Sequence, residues 1–243
     1  MWHWEHQQLA LARSHRIITP DLLGSGLSEK PERLYSPAFL LDTFRTFMDT
    51  LHIQKATLIG SSMGAGLAIG MSLEHPDRVT GLVLIGGFPA NILDNMQSSR
   101  TRQFIKHRPA LWLSKLASRI TGRWSIKRIL KEIIHDQALI SPMVVERAHR
   151  LRSQPGFFHA MYSQLDQIPE WETTFAPRLT DISHSTLILW GAHDQIFPLS
   201  VGQTLQTTIP SSSFLVAPNS GHLPQWEDPG FVNSALVRFI AEH

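Results

Sequence analysis

A doubly wound, mostly parallel α/β sheet is the fold class this sequence predicts, and three observations carry the prediction. Two near-continuous apolar runs, Val79–Gly87 and Ser185–Gly191, read as strands covered on both faces, as interior strands of a parallel sheet are. Segments with helical spacing alternate with such runs, which is the signature of strand-helix-strand units. A turn at Gly60-Ser61-Ser62-Met63-Gly64 joins the short apolar stretch Ala56–Ile59 to a small-residue segment reaching Gly70. It reads as strand, sharp turn, buried helix.

Taken in order, residues 2 to 13 have the composition of a short amphipathic helix, with Trp2, Leu9, Ala10 and Leu11 among polar neighbours. Arg16–Asp21 reads as a short strand closing on Pro20, and Gly24 and Gly26 mark a turn-rich exit. Ser36-Pro37 is a helix start signal, and Phe39, Leu40, Phe44, Phe47, Met48 and Leu51 recur at helical spacing behind it. The elbow strand and helix follow, then the breaker His75-Pro76-Asp77-Arg78. Ser213–Ala217 is a further short strand, and Leu199–Thr208 and Phe231–Ala241 are helical.

From Phe88 to His184 the alternation stops. The stretch is helical in character and contains no convincing buried strand, so the domain expectation is a core of residues 1–87 and 185–243 with a helical cap at 88–184, seated over the C-terminal ends of the strands. Between Arg100 and Arg152 stand thirteen Lys or Arg against Glu132, Asp136 and Glu146. A solvated face on helices that pack onto the core is the plain reading of that imbalance. Contact with an anionic substrate or an anionic membrane surface is the alternative.

The chain has 243 residues, enough for one large α/β domain, and a formal net charge of +2 that says little about partners. With no cysteine, disulfides, thiolate metal sites and cysteine nucleophiles are excluded, which suits the reducing cytoplasm. The weakly polar stretch Ala56–Leu73 is long enough to raise a membrane span, but its serines and glycines fit the strand-turn-helix reading better. No cofactor, metal or nucleic-acid partner is expected; His3-Trp4-Glu5-His6 lacks the spacing of a zinc helix.

The turn at Ser62 carries the chemistry. A serine between glycines on a strand-to-helix turn takes a strained backbone that exposes its hydroxyl. That hydroxyl needs an adjacent base, and the base needs a third group to fix its tautomer. His222, in Asn219-Ser220-Gly221-His222, and Asp194, in Trp190-Gly191-Ala192-His193-Asp194, each follow an apolar strand and so emerge at the edge where Ser62 projects. Alone, Asp194 could be a turn former and His222 a loop residue; together they complete a triad.

With these residues in view the sequence resembles the α/β-hydrolase superfamily, in its branch with a helical cap, over nearly the whole chain except the cap. Arg16–Ser28 looks like the strand and glycine loop before the elbow, and His75–Val79 like the link after the elbow helix. Trp190–Pro198 resembles the acid loop and Gly221–Pro229 the histidine loop. The order Ser62, Asp194, His222 is the one this superfamily uses. The resemblance implies that Ser62 is the nucleophile, His222 the base, Asp194 its orienting acid and the Met63 N–H an oxyanion donor. A serine at the elbow speaks against the dehalogenases and epoxide hydrolases, which carry aspartate there. Ser61-Ser62-Met63-Gly64 and Gln225-Trp226-Glu227 look like both small carboxylesterases and meta-cleavage product hydrolases.

The expected activity is acyl-enzyme hydrolysis of a carboxylic ester or related acyl bond in an apolar small molecule. Carbon-carbon bond hydrolysis by the same fold is the alternative, and a non-catalytic binding module is the rival from another class. Relative to the family pattern the front of the chain is short: no His-Gly pair precedes Arg16. The expectation is therefore an N-terminally shortened hydrolase with one oxyanion donor accounted for and a strand missing beside the elbow strand.

Overall fold

The computed structural model describes residues 2–87 and 91–242. A turn of 3-10 helix at Trp2–Trp4 leads into α1 (Glu5–Leu11), and α2 (Pro37–Thr50) precedes β1 (Ala56–Ser61), α3 (Met63–Glu74) and β2 (Val79–Ile85). Between β2 and β3 every described element is helical: α4 (Ile92–Asn95), α5 (Ser99–Lys106), α6 (Leu111–Ile133), α7 (Pro142–Arg152), α8 (Phe157–Asp166) and α9 (Ile168–Phe175), with two 3-10 turns. The chain then forms β3 (Thr186–Gly191), α10 (Leu199–Thr208), β4 (Ser212–Ala217), α11 (Pro224–Glu227) and α12 (Pro229–Glu242). The expected boundary at Phe88 lies outside the described residues.

The strands are all parallel and stand in the order β1-β2-β3-β4. Parallel strands buried on both faces need apolar side chains throughout, and Leu82 to Ile85 and Ile188 to Trp190 are fully buried. Their alternate residues feed two cores. Leu82, Leu84, Ile188 and Trp190 face the α3 side with Leu67, Met71 and Leu205. Val83, Ile85, Leu187 and Leu189 meet Leu11, Val232, Leu236 and Phe239 of α1 and α12 on the other. α3 is apolar nearly all round because it is buried nearly all round, from Ala65 to Ser72. α2 begins where its signal stands, with Ser36 Oγ accepting the Phe39 N–H at 3.3 Å and Pro37 in the first turn.

The strand expected at Arg16–Asp21 is not formed. These residues carry irregular backbone, and β1 has a strand on one side only among the described residues. Two adjacent isoleucines suggest a strand, but a strand persists only where another supplies its ladder hydrogen bonds. Ile17 still packs against the α12 core, whereas Ile18 is exposed.

The register aligns Ser61 with Ile85, Ile85 with Leu189, and Gly191 with Ala217. The loops after β1, β2, β3 and β4 therefore leave the sheet at one edge. Among the described residues no helix is long and apolar enough to cross a membrane.

Candidate active site

Ser62 sits between β1 and α3 with φ 51° and ψ −115°, a left-handed backbone that a residue bearing a Cβ adopts only under strain. Its N–H donates to Ile85 O at 2.9 Å, and its carbonyl accepts from Ala65 N at 2.9 Å and Gly66 N at 3.2 Å. Those three bonds hold the turn against its strain. A Cβ at Gly60 would overlap the carbonyl of Gly64, whereas one at Gly64 would meet nothing within 4 Å. Of the two motif glycines, only Gly60 is therefore demanded by close approach. Met63 is the first residue of α3, a position whose N–H has no acceptor inside its own helix.

Asp194 and His222 are 5% and 6% exposed, and His222 Nδ1 lies 2.8 Å from Asp194 Oδ2. The other carboxylate oxygen, Oδ1, accepts the N–H groups of Ile196 at 2.7 Å and Phe197 at 3.1 Å. Both oxygens are thereby committed, and the carboxylate cannot rotate away from the imidazole. Backbone contact brings the two loops together: His193 N donates to Ser220 O at 2.9 Å, and a Cβ at Gly191 would overlap Gly221 O. Gly86, at φ 54°, lets the chain pass under the imidazole; a Cβ there would lie 3.1 Å from His222 Cε1. Because Ser62 N bonds Ile85 O, the same end of β2 abuts both Ser62 and His222.

Glu227 is a member of this site that sequence reasoning left without a role. Its Oε1 accepts Gly221 N at 2.9 Å and Leu223 N at 3.3 Å, on either side of His222. Its Oε2 accepts His135 N at 2.6 Å and Asp136 N at 3.3 Å, just past the end of α6. Burial pushes its carboxyl above the ordinary range, against the pull of those four donors. An acid five residues after the histidine was the available signal, but two of its four partners, His135 and Asp136, lie 92 and 91 residues away. The rings of His135 and His193 stack, with centroids 3.8 Å apart, beside an open recess of about 470 Å³ that also touches Gln97, Asp194, Gln195 and Leu199.

His3 lies against the rings of Trp2 and Trp4. Burial lowers its pKa from 6.5 to about 4. Among the described residues no group of three or more His, Asp or Glu is arranged to hold a metal ion.

Residues 1–229 match the family model described as alpha/beta hydrolase fold. The 2-hydroxymuconate semialdehyde hydrolase of Pseudomonas sp. (strain CF600) is 29% identical over 248 residues, covering 99% of this chain and 81% of the relative. The 2-hydroxy-6-oxo-6-phenylhexa-2,4-dienoate hydrolase of Burkholderia cepacia is 27% identical over 245 residues, 95% of this chain and 79% of the relative. Among solved structures, the meta-cleavage product hydrolase CumD of Pseudomonas fluorescens IP01 superposes with a TM-score of 0.83 at 26% identity, covering 99% of this chain and 85% of that one.

Proposed function

The chain belongs to the α/β-hydrolase fold family, and from that premise we propose that it hydrolyses a carbon-carbon bond next to a ketone, in substrates of the meta-cleavage product class. The observation that carries the reading is the buried His222–Asp194 pair at 2.8 Å, set at the sheet edge where Ser62 stands on its strained turn. The bond class rests on the relatives, whose names describe hydrolases of 2-hydroxy-6-oxo-dienoates and 2-hydroxymuconate semialdehyde. Of the two bond classes open to the sequence, these favour the carbon-carbon bond over the ester.

In this reading Asp194 holds His222 with Nε2 as the base, and His222 takes the proton of the Ser62 hydroxyl as its oxygen attacks the ketone carbon. The Met63 N–H faces the developing oxyanion. The 2-hydroxyl proton of the dienol first moves to the carbon next to the ketone; the bond between that carbon and the ketone carbon then breaks, its electron pair entering the conjugated 2-oxo acid to give a dienolate that takes the proton of His222. Water then enters with His222 as base, releases the carboxylic acid and restores Ser62.

The test compares loss of the visible absorbance of 2-hydroxy-6-oxo-6-phenylhexa-2,4-dienoate with release of nitrophenol from short acyl esters. Faster turnover of the dienoate, abolished by Ser62→Ala, is the expected result. Ester turnover alone would return the reading to a carboxylesterase. Folded protein that neither turns over substrate nor reacts with a fluorophosphonate at Ser62 would make it a binding module.

A further inference from the structure

The N-terminal half of α6 presents large apolar side chains to solvent. Trp112 is 68% exposed, Leu116 46% and Ile120 76%. Spaced four apart, they share one helix face, and Leu113 extends it. Surface tryptophan and isoleucine at such exposure are unusual in combination, since contiguous apolar patches mark sites of contact. The opposite side is occupied: Ser114 is buried and its hydroxyl meets the Tyr162 hydroxyl at 2.6 Å. At Gly122 the helix kinks (φ 45°, ψ −125°), after which Ile126 and Leu130 turn inward to pack with Val145 and Trp226. Trp124, just past the kink, remains 64% exposed with Arg128 stacked on its ring.

The charge around this face is of one sign. α6 carries six Lys or Arg and a single acid, Glu132, which is engaged by Arg100, Ser98 and Thr101. Lys115, Arg119 and Lys127 are exposed and have no ion-pair partner among the described residues. Self-association through this face would set like charges opposite one another, because a two-fold contact repeats the same patch. An anionic lipid surface satisfies both halves of the pattern: its acyl boundary accepts the tryptophan and aliphatic side chains, and its headgroups accept the cations.

We propose that the N-terminal half of α6 docks on anionic lipid bilayers, with Trp112, Leu116 and Ile120 entering the headgroup boundary and Lys115 and Arg119 meeting the lipid charge.

Flotation with vesicles of phosphatidylcholine alone, and of phosphatidylcholine and phosphatidylserine in equal parts, tests this. The protein is expected to float with the mixed vesicles and not with the neutral ones, and added salt should release it. Trp112→Ser with Ile120→Ser, and separately Lys115→Gln with Arg119→Gln, should each weaken partitioning at least about tenfold. All four positions are exposed, so circular dichroism should stay that of the wild type. Equal flotation with both vesicle types, flotation untouched by either variant pair, or no flotation at all would each overturn the proposal. So would a dimer in sedimentation equilibrium that Ile120→Ser disperses, since a second copy would then cover the face. Retention on immobilised polyglutamate that needs Lys115 and Arg119 but not Trp112, without flotation, would assign the surface to an acidic polypeptide instead.

Discussion

The backbone N–H of His222 donates to the carbonyl of Ile133 at 2.8 Å. The residue bearing the imidazole is thus tied by its main chain to the last residue of α6, and Glu227 repeats the tie from its other side through His135 and Asp136. The position of the histidine loop and that of the helices between β2 and β3 are one mechanical unit.

Glu227→Ala removes the acceptor for four backbone N–H groups at once, and buried donors left unpaired cost about 1–3 kcal/mol each where water cannot replace the partner. The expected outcome is a loss of at least about 2 kcal/mol in urea denaturation, together with a lower kcat. Glu227→Gln keeps one carbonyl oxygen and should lose less. The pH dependence has a definite sign. Burial raises the Glu227 pKa in the folded chain, so the part of the stability that comes from holding its proton is complete below the unfolded carboxylate pKa and is lost as pH rises through the folded value. Wild type should therefore lose stability relative to Glu227→Gln as pH rises through that window; parallel curves for the two proteins would refute the assignment.

Asp194→Asn separates orientation from charge. An asparagine oxygen can still accept from Ile196 and Phe197, but the amide N–H then faces His222 Nδ1 and selects the other tautomer. That moves the proton onto Nε2, where a base must have a lone pair. A fall in kcat of the order of 10⁴-fold is expected with the melting temperature little changed. Retained activity would mean that Asp194 is only a turn former.

The elbow and the buried strands β2 and β3 were legible in sequence because each is a local pattern: apolar runs and a serine among glycines. Asp194 and His222, 28 residues apart, were legible through their places just past strand ends and the chain order that the family resemblance implies. What was not legible depends on distant partners. Ile17-Ile18 looks like a strand locally and is none, because among the described residues no neighbouring strand pairs with it. Glu227 looked like a motif tail, yet it joins its own loop to His135 and Asp136 just past α6. The two glycines of the motif were indistinguishable until the packing showed that only Gly60 faces backbone.

That difference makes a paired test. Gly60→Ala would force its Cβ into the Gly64 carbonyl, and because backbone cannot step aside cheaply the cost should reach about 3 kcal/mol or more, with loss of Ser62 reactivity toward a fluorophosphonate. Gly64→Ala enters open space in the first turn of α3 and should be neutral or stabilising by up to about 1 kcal/mol. Equal destabilisation by the two would show that the strand-helix approach does not set the requirement.

His3 gives the acid side of the stability profile. Burial holds its imidazole neutral in the folded chain, with a pKa near 4 against 6.5 when free. Unfolded chain therefore binds a proton that folded chain refuses between those values. The stabilisation is complete above pH 6.5 and is lost as pH falls toward about 4. His3→Gln, which does not titrate, should flatten the fall in urea midpoint across that window while leaving the midpoint's dependence above pH 7 unchanged. If the variant and the wild type lose stability in parallel from pH 6.5 to 4, His3 is solvated in the folded protein and the packing between Trp2 and Trp4 does not hold it.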